Sequence, residues 1–206
     1  MRKVILSEAL TLDGYFAGPH GEFDWPLADE EFERYTNDET FSNVDTILFG
    51  RVTYEMMASY WPEALTNSSG RMAGADGVEF AVPTAVSNTH NEIARKMNSL
   101  QKIVFSRTLE KVEWRNSTII REIIPEDIKK IKSQGGGDMI ILGSGSVASE
   151  FAKNNLIDDY RLFVNPIVLG EGRKLFAWQN SRLKLDLVGT KAFKSGAVEL
   201  RFASKH

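Results

Sequence analysis

The 206-residue chain is 42% hydrophobic and 26% charged, enough apolar surface for one sizeable core in a single domain spanning 1–206. Its net charge of −3 and its scattered basic residues exclude a nucleic-acid face built on a Lys/Arg stripe. It has no cysteine, which excludes disulfides, thiol catalysis and thiolate metal sites, and His20, His90 and His206 show no ligand spacing, so no metal is expected.

Met1-Arg2-Lys3 leads into an apolar run that stops at Ser7-Glu8, too soon for a signal peptide. No stretch approaches the ~20 apolar residues of a membrane span, so a soluble, cytoplasmic protein is expected. Residues 4–9 read as a buried first strand, 11–14 as the turn out of it, and 17–21 as a loop. Residues 29–38 have helical spacing, with Phe32 and Tyr35 on one face. A short strand at 46–49 ends at Gly50, and a helix over 53–59 is stopped by Trp61-Pro62. Residues 67–77, with Asn67-Ser68-Ser69-Gly70 and then Gly74 and Gly77, read as a mobile loop. A helix over 91–97 precedes a strand at 102–105 and another at 117–120. The helix over 125–132 opens on Pro125-Glu126-Asp127 and closes at three glycines, 135–137. Residues 139–142 form a strand that breaks at Gly143-Ser144-Gly145 and passes straight into a helix with Val147, Ala148, Phe151 and Ala152 on one face. A strand at 159–164 and a hairpin of 183–193 with 198–203 complete the chain. Strands alternating with helices argue an α/β fold whose central sheet is mostly parallel, with an antiparallel hairpin at its C-terminal edge.

In such sheets ligands collect at the carboxyl ends of strands. Three strand ends carry suitable chemistry. Gly50, Arg51 and Thr53 offer a glycine turn, a guanidinium and a hydroxyl at a helix start; Ser106 and Arg107 offer a hydroxyl and a second guanidinium. Gly143, Ser144, Gly145, Ser146 and Val147 form a strand-turn-helix corner whose free amides suit a pyrophosphate. Surface ion pairing for the arginines and a helix cap for Thr53 are the alternatives. Arg107 ending its strand, with no acid nearer than Glu110, favours NADP over NAD. Gly143, Gly145 and Ala148 formally fit a Rossmann fingerprint, but the following strand ends in Val164-Asn165-Pro166, without the expected acid.

In this order, the stretches at 9–14, 48–54, 103–107, 143–147 and 164–170 resemble the dihydrofolate reductase-like family. The likeness is strongest to the reductase domain of bifunctional riboflavin-biosynthesis enzymes. The resemblance implies a three-layer fold, NADPH as hydride donor, a small heterocyclic substrate and a homodimer. It places Gly50, Arg51 and Thr53 on phosphate, Ser106 and Arg107 at the 2′-phosphate and adenine end, and residues 143–147 on the pyrophosphate. Ala9 and the Phe16-Ala17 segment lie beside the nicotinamide. Riboflavin-pathway reductases tend to carry Glu before paired glycines at the pyrophosphate turn, where this chain has Gly143 and then Ser144. It also lacks the zinc-deaminase signature of the bifunctional enzymes.

Folate reductases carry a Trp and then a carboxylate between the first strand and helix. Here Trp25 is the candidate to stack on substrate and Asp29 the candidate catalytic acid, with Asp24 and Glu30 as competitors. Asp29 also suits a helix N-terminus, Trp25 a core position, and Asp13, a further substrate-site candidate, its own turn. The expected function is NADPH-dependent reduction of a pyrimidine- or pterin-like ring; the alternatives are a non-catalytic NADP-binding dimer and a true dihydrofolate reductase.

Overall fold

The computed structural model describes residues 1–27, 29–65, 88–177 and 182–205 in full, and the backbone of 71–73 and 79–81. The chain begins with β1 (Val4–Thr11) and β2 (Tyr15–Ala17), then α1 (Glu30–Tyr35), which continues as a π-helical turn over Thr36–Thr40. Next come β3 (Val44–Gly50), α2 (Arg51–Ala58), the short pair β4 (Arg71–Ala73) and β5 (Glu79–Ala81), and α3 (Asn88–Ser99). They are followed by β6 (Gln101–Phe105), β7 (Ser117–Ile120), α4 (Pro125–Ser133), β8 (Asp138–Leu142) and α5 (Gly145–Lys153). The last elements are β9 (Asp159–Asn165), β10 (Arg173–Lys174), β11 (Leu185–Ala192) and β12 (Val198–Ser204).

Eight strands form one sheet in the order β11-β12-β9-β1-β8-β3-β6-β7. Pairing is parallel from β9 across to β7, and antiparallel where β12 joins β9 and β11 joins β12. The expected mostly parallel sheet with an antiparallel C-terminal hairpin is what the chain adopts. Its central strands are buried on both faces, which is why they read as unbroken apolar runs. Val4, Leu6, Leu48, Met139 and Ile141 pack on one face against Val147, Ala148 and Phe151 of α5 and Ile128 of α4. Ile5, Ile47, Phe49 and Ile140 pack on the other against Tyr54 of α2 and Ile93 and Met97 of α3. α1 closes this second face over β9 and the hairpin, where Phe32 meets the rings of Phe163 and Phe193 edge-on. The result is a three-layer arrangement.

Differences from the sequence reading cluster near the future site. β1 runs on through Leu10 and Thr11, because both still pair with β9. The 17–21 loop is preceded by β2, held antiparallel by β10. The helix expected over 29–38 is α-helical only over Glu30–Tyr35 and then widens, turning Asn37 and Thr40 inward. α2 starts two residues early, with Gly50 as its extended N-cap. Within the expected 67–77 loop, residues 71–73 form a strand paired with 79–81; positions 67–70 and 74–77 lie outside the described residues.

Candidate functional site

The site grows from a parting of strands. β1 pairs with β8 only from Val4↔Met139 to Ser7↔Leu142, yet it continues to Thr11 against β9 alone. From Glu8 onward the β1 edge that faced β8 has no ladder partner among the described residues. The cause is the turn after β8: Gly143 and Ser144 both take left-handed backbone conformations, with φ of 60° and 59°. A non-glycine residue there costs about 1–2 kcal/mol. Two buried hydrogen bonds hold Ser144 in place: its N–H donates to Thr53 Oγ1 at 3.1 Å, and its Oγ accepts from the Gly50 N–H at 2.9 Å. The starts of α2 and α5 are thereby clipped side by side. A Cβ at Gly50 would sit 3.4 Å from Ser146 Oγ and 3.5 Å from Val147 Cγ2. Neither helix has a side-chain cap on its first-turn amides. Two adjacent uncapped helix starts at a strand cleft leave free amides able to take an anion.

The cleft opens into a cavity of about 340 Å³. Its apolar wall comes from Ala9, Phe16, Ala17, Phe32, Val52, Met56, Met57, Trp61, Ile93 and Met97. Such walls with a few polar groups suit a small organic ligand. The ionisable groups in the wall are Glu8, His20, Glu33, His90 and Arg173. Three buried side chains form a chain of contacts: Glu33 Oε1 lies 3.5 Å from His90 Nδ1, and His90 Nε2 shares a 2.8 Å hydrogen bond with the Tyr60 hydroxyl. The Trp61 ring stacks on the imidazole, centroids 5.7 Å apart. Burial and then the nearby Glu33 carboxyl push the Tyr60 phenol above its ordinary range, so it keeps its proton. Glu8 is 4% exposed and its Oε2 has no hydrogen-bond partner. Burial pushes its carboxyl up to about 8, against the opposing effect of the Ala9 amide.

Of the residues singled out from sequence, Ala9, Ala17, Thr53, Gly143 and Ser144 line this cavity. Gly50, Gly145 and Ser146 sit in the two helix starts beside it. A Cβ on Gly145 would meet the Phe16 ring at 2.6 Å, so only glycine lets that ring lie over the start of α5. Val147 points into the core at 2% exposure and can offer only its backbone. The Arg51 guanidinium is engaged with Glu55 on its own helix at 2.7 Å, a surface ion pair. Ser106 and Arg107 lie at the end of β6, beside Gly50 of β3 (Gly50↔Phe105) and outside the cavity wall. The Ser106 hydroxyl accepts from the Thr108 and Leu109 amides, and Arg107 is exposed.

The structure places the three substrate-side candidates away from the cavity wall. Asp29 is the N-cap of α1: its carboxylate accepts from the Phe32 N–H at 2.7 Å and from the Ser195 N–H at 2.9 Å, and it does not line the cavity. The spacing that suggested catalysis is the spacing of a cap. Asp13 ties its turn to the loop after β9, accepting from Thr11 Oγ1 and the Gly170 N–H at 2.6 and 2.8 Å. These bonds hold its carboxyl below the ordinary range. Trp25 is packed edge-on against Phe23, centroids 5.5 Å apart, one layer behind the cavity wall. The competitors face solvent: Asp24 is exposed, and Glu30 pairs with Arg34. The acid of α1 that reaches the cavity is Glu33, four residues and one turn beyond Asp29.

The same fold occurs in solved structures. A dihydrofolate reductase from Enterococcus faecalis, solved as a complex with NADP(H), superposes with a TM-score of 0.60 at 13% identity, covering 99% of this chain and 97% of that one. A putative riboflavin biosynthesis protein from Shewanella sp. PV-4 does so with a TM-score of 0.67 at 19% identity, over the whole of both chains. The fold is therefore that of the dihydrofolate reductase-like class. Within it, the chain belongs to the RibD C-terminal domain family, whose model matches residues 2–198. The uncharacterized protein YyaP of Bacillus subtilis is 31% identical over 201 residues, covering 97% of this chain and 93% of its own.

Proposed function

We propose that this protein is an NADPH-dependent reductase of a small planar heterocycle, pyrimidine- or pterin-like. The observation that carries the reading is the junction of two uncapped helix starts, clipped by Ser144, with a strand cleft that opens into a cavity holding buried carboxyl groups. Bound there, the dinucleotide supplies hydride to the substrate. The residues present fit it: the amides at the starts of α2 and α5 take the diphosphate, and the unpaired edge of β1 at Ala9 offers backbone donors and acceptors to the carboxamide. Ser106 and Arg107 at the neighbouring strand end take the 2′-phosphate, while Arg51 stays with Glu55.

On the substrate side, Glu33 binds the N–H edge of the ring and is oriented by His90. Met56, Met57, Phe32 and Trp61 hold the ring faces and exclude water. NADPH oxidation assayed across dihydrofolate, oxidised pterins and ribosylamino-pyrimidines tests the reading. Turnover of one class is expected, with a loss on the order of ten- to a hundredfold in kcat/KM in Glu33→Gln, the range for a substrate hydrogen bond lost in a buried site. NADPH binding without turnover of any of these rings would make the chain a nucleotide-binding protein instead.

A further inference from the structure

Glu8 is unexplained by the binding of either ligand. It lies on β1 at the first position where the strand has lost its β8 partner, in the wall of the cavity. Its carboxyl is almost completely buried, no ion pair joins it to another side chain among the described residues, and Oε2 is without a partner. A buried acid without a countercharge is stable only when protonated, as a neutral donor whose hydrogen seeks an acceptor. Its immediate neighbour along the strand, Ala9, is the residue whose backbone faces the nicotinamide in the reading above.

We propose that Glu8 is the acid of the reaction, giving its proton to the substrate heteroatom as the neighbouring carbon is reduced, and then compensating as a carboxylate the positive charge of the oxidised nicotinamide. The inference rests on the reductase reading. The carboxyl O–H bond breaks and an N–H or O–H bond forms on the reduced C=N or C=O. The electron pair of the new C–H bond arrives as hydride from the reduced dinucleotide, which is oxidised as the substrate is reduced. The net charge of the buried site does not change: a neutral acid beside a neutral ring becomes a carboxylate beside a cationic ring. This matters because creating one isolated charge in an apolar cavity is far costlier than creating an opposed pair. The carboxylate regains a proton from water as the products leave. The raised carboxyl, at about 8, keeps Glu8 loaded at neutral pH.

The test compares proton release when NADP⁺ and NADPH bind, by calorimetry at neutral pH in two buffers of different ionisation heat. The 2′-phosphate is common to both nucleotides and cancels in the difference. The remaining ionisable groups of the wall, His20, Glu33, His90 and Arg173, are still present in Glu8→Gln. Wild-type protein is expected to release close to one more proton with NADP⁺ than with NADPH, and Glu8→Gln none. In the wild type alone, the infrared band of a protonated carboxyl is expected to disappear on NADP⁺ saturation. If both nucleotides bind with equal proton release, or the difference survives in Glu8→Gln, or the band persists, the role of Glu8 is overturned while the reductase reading stands. If neither nucleotide binds, both fall.

Discussion

At the scale of single residues, two acids behave in opposite ways, Asp29 in structure and Glu8 at the site. Asp29 is satisfied twice, by the Phe32 and Ser195 amides, and so joins α1 to the turn of the C-terminal hairpin. Asp29→Ala is expected to lose about 1–2 kcal/mol of stability, the usual range for a lost cap, with NADPH affinity unchanged. A calorimetric affinity that fell along with the melting temperature would return Asp29 to the site. Glu8 keeps Oε2 without a hydrogen-bond partner, and its folded-state carboxyl lies near 8 against an ordinary 4.5. Between those pH values the native protein holds a proton that the unfolded chain has lost. Stability therefore falls as pH rises through the window and levels off above it. Glu8→Gln should match the wild type near the acid end and exceed it increasingly toward pH 8. Urea unfolding of both proteins across the window checks this, and parallel profiles would contradict it. Glu8 was visible in sequence as a charge inside the segment 4–9 that reads as a buried strand, a place with no solvent side to receive it. Glu33 was visible as the position one turn on from Asp29. Spacing from Trp25 points to neither, because Trp25 lies behind the cavity wall.

At the scale of elements, the site depends on the junction of α2 with α5 more than on either helix. The glycine-rich corner after β8 and the turn after β3 were each legible as breaks in apolar runs. The hydrogen bonds that unite them were not, because they join residues more than ninety positions apart. The strands β2 and β10 escaped for a different reason: three and two residues are too few to show a period. The i,i+4 pairing of Arg51 with Glu55 on the surface of α2 was readable from their spacing. Ser144→Ala removes the acceptor of the buried Gly50 amide. We expect a loss of about 1–3 kcal/mol, the range for an orphaned buried donor, together with weaker NADPH binding. Chemical denaturation paired with a binding titration checks both. A stability loss with unaltered affinity would mean that the clip is structural only.

The architecture of the whole molecule was legible because parallel strands buried on both faces leave long apolar runs, and the hairpin leaves an alternating one. What the sequence reading left open was which surfaces remain uncovered. Leu183 and Leu185 pack against the chain's own core, whereas Leu187 and Val188 stay 61% and 57% exposed on β11, the edge strand of the sheet. An apolar, unpaired edge is a template for association, and we propose that a second copy of the chain covers it. Light scattering at micromolar concentration should give twice the chain mass, and Leu187→Lys should shift it toward the monomer. A wild-type monomer would refute the pairing.

The central claim is that the paired helix starts at the strand cleft hold the diphosphate of NADPH. Isothermal titration of NADPH into the wild-type protein and into Gly145→Val tests it most directly. The added side chain must enter space that the Phe16 ring now fills, 2.6 Å from the new Cβ, and a ring on a short strand can move without unfolding the core. The prediction is saturable binding of NADPH, tighter than NADH, in the wild type, and no measurable binding in a variant whose circular dichroism is unchanged. Wild-type protein that ignores NADPH, or a folded Gly145→Val that binds it with wild-type affinity, would contradict the account.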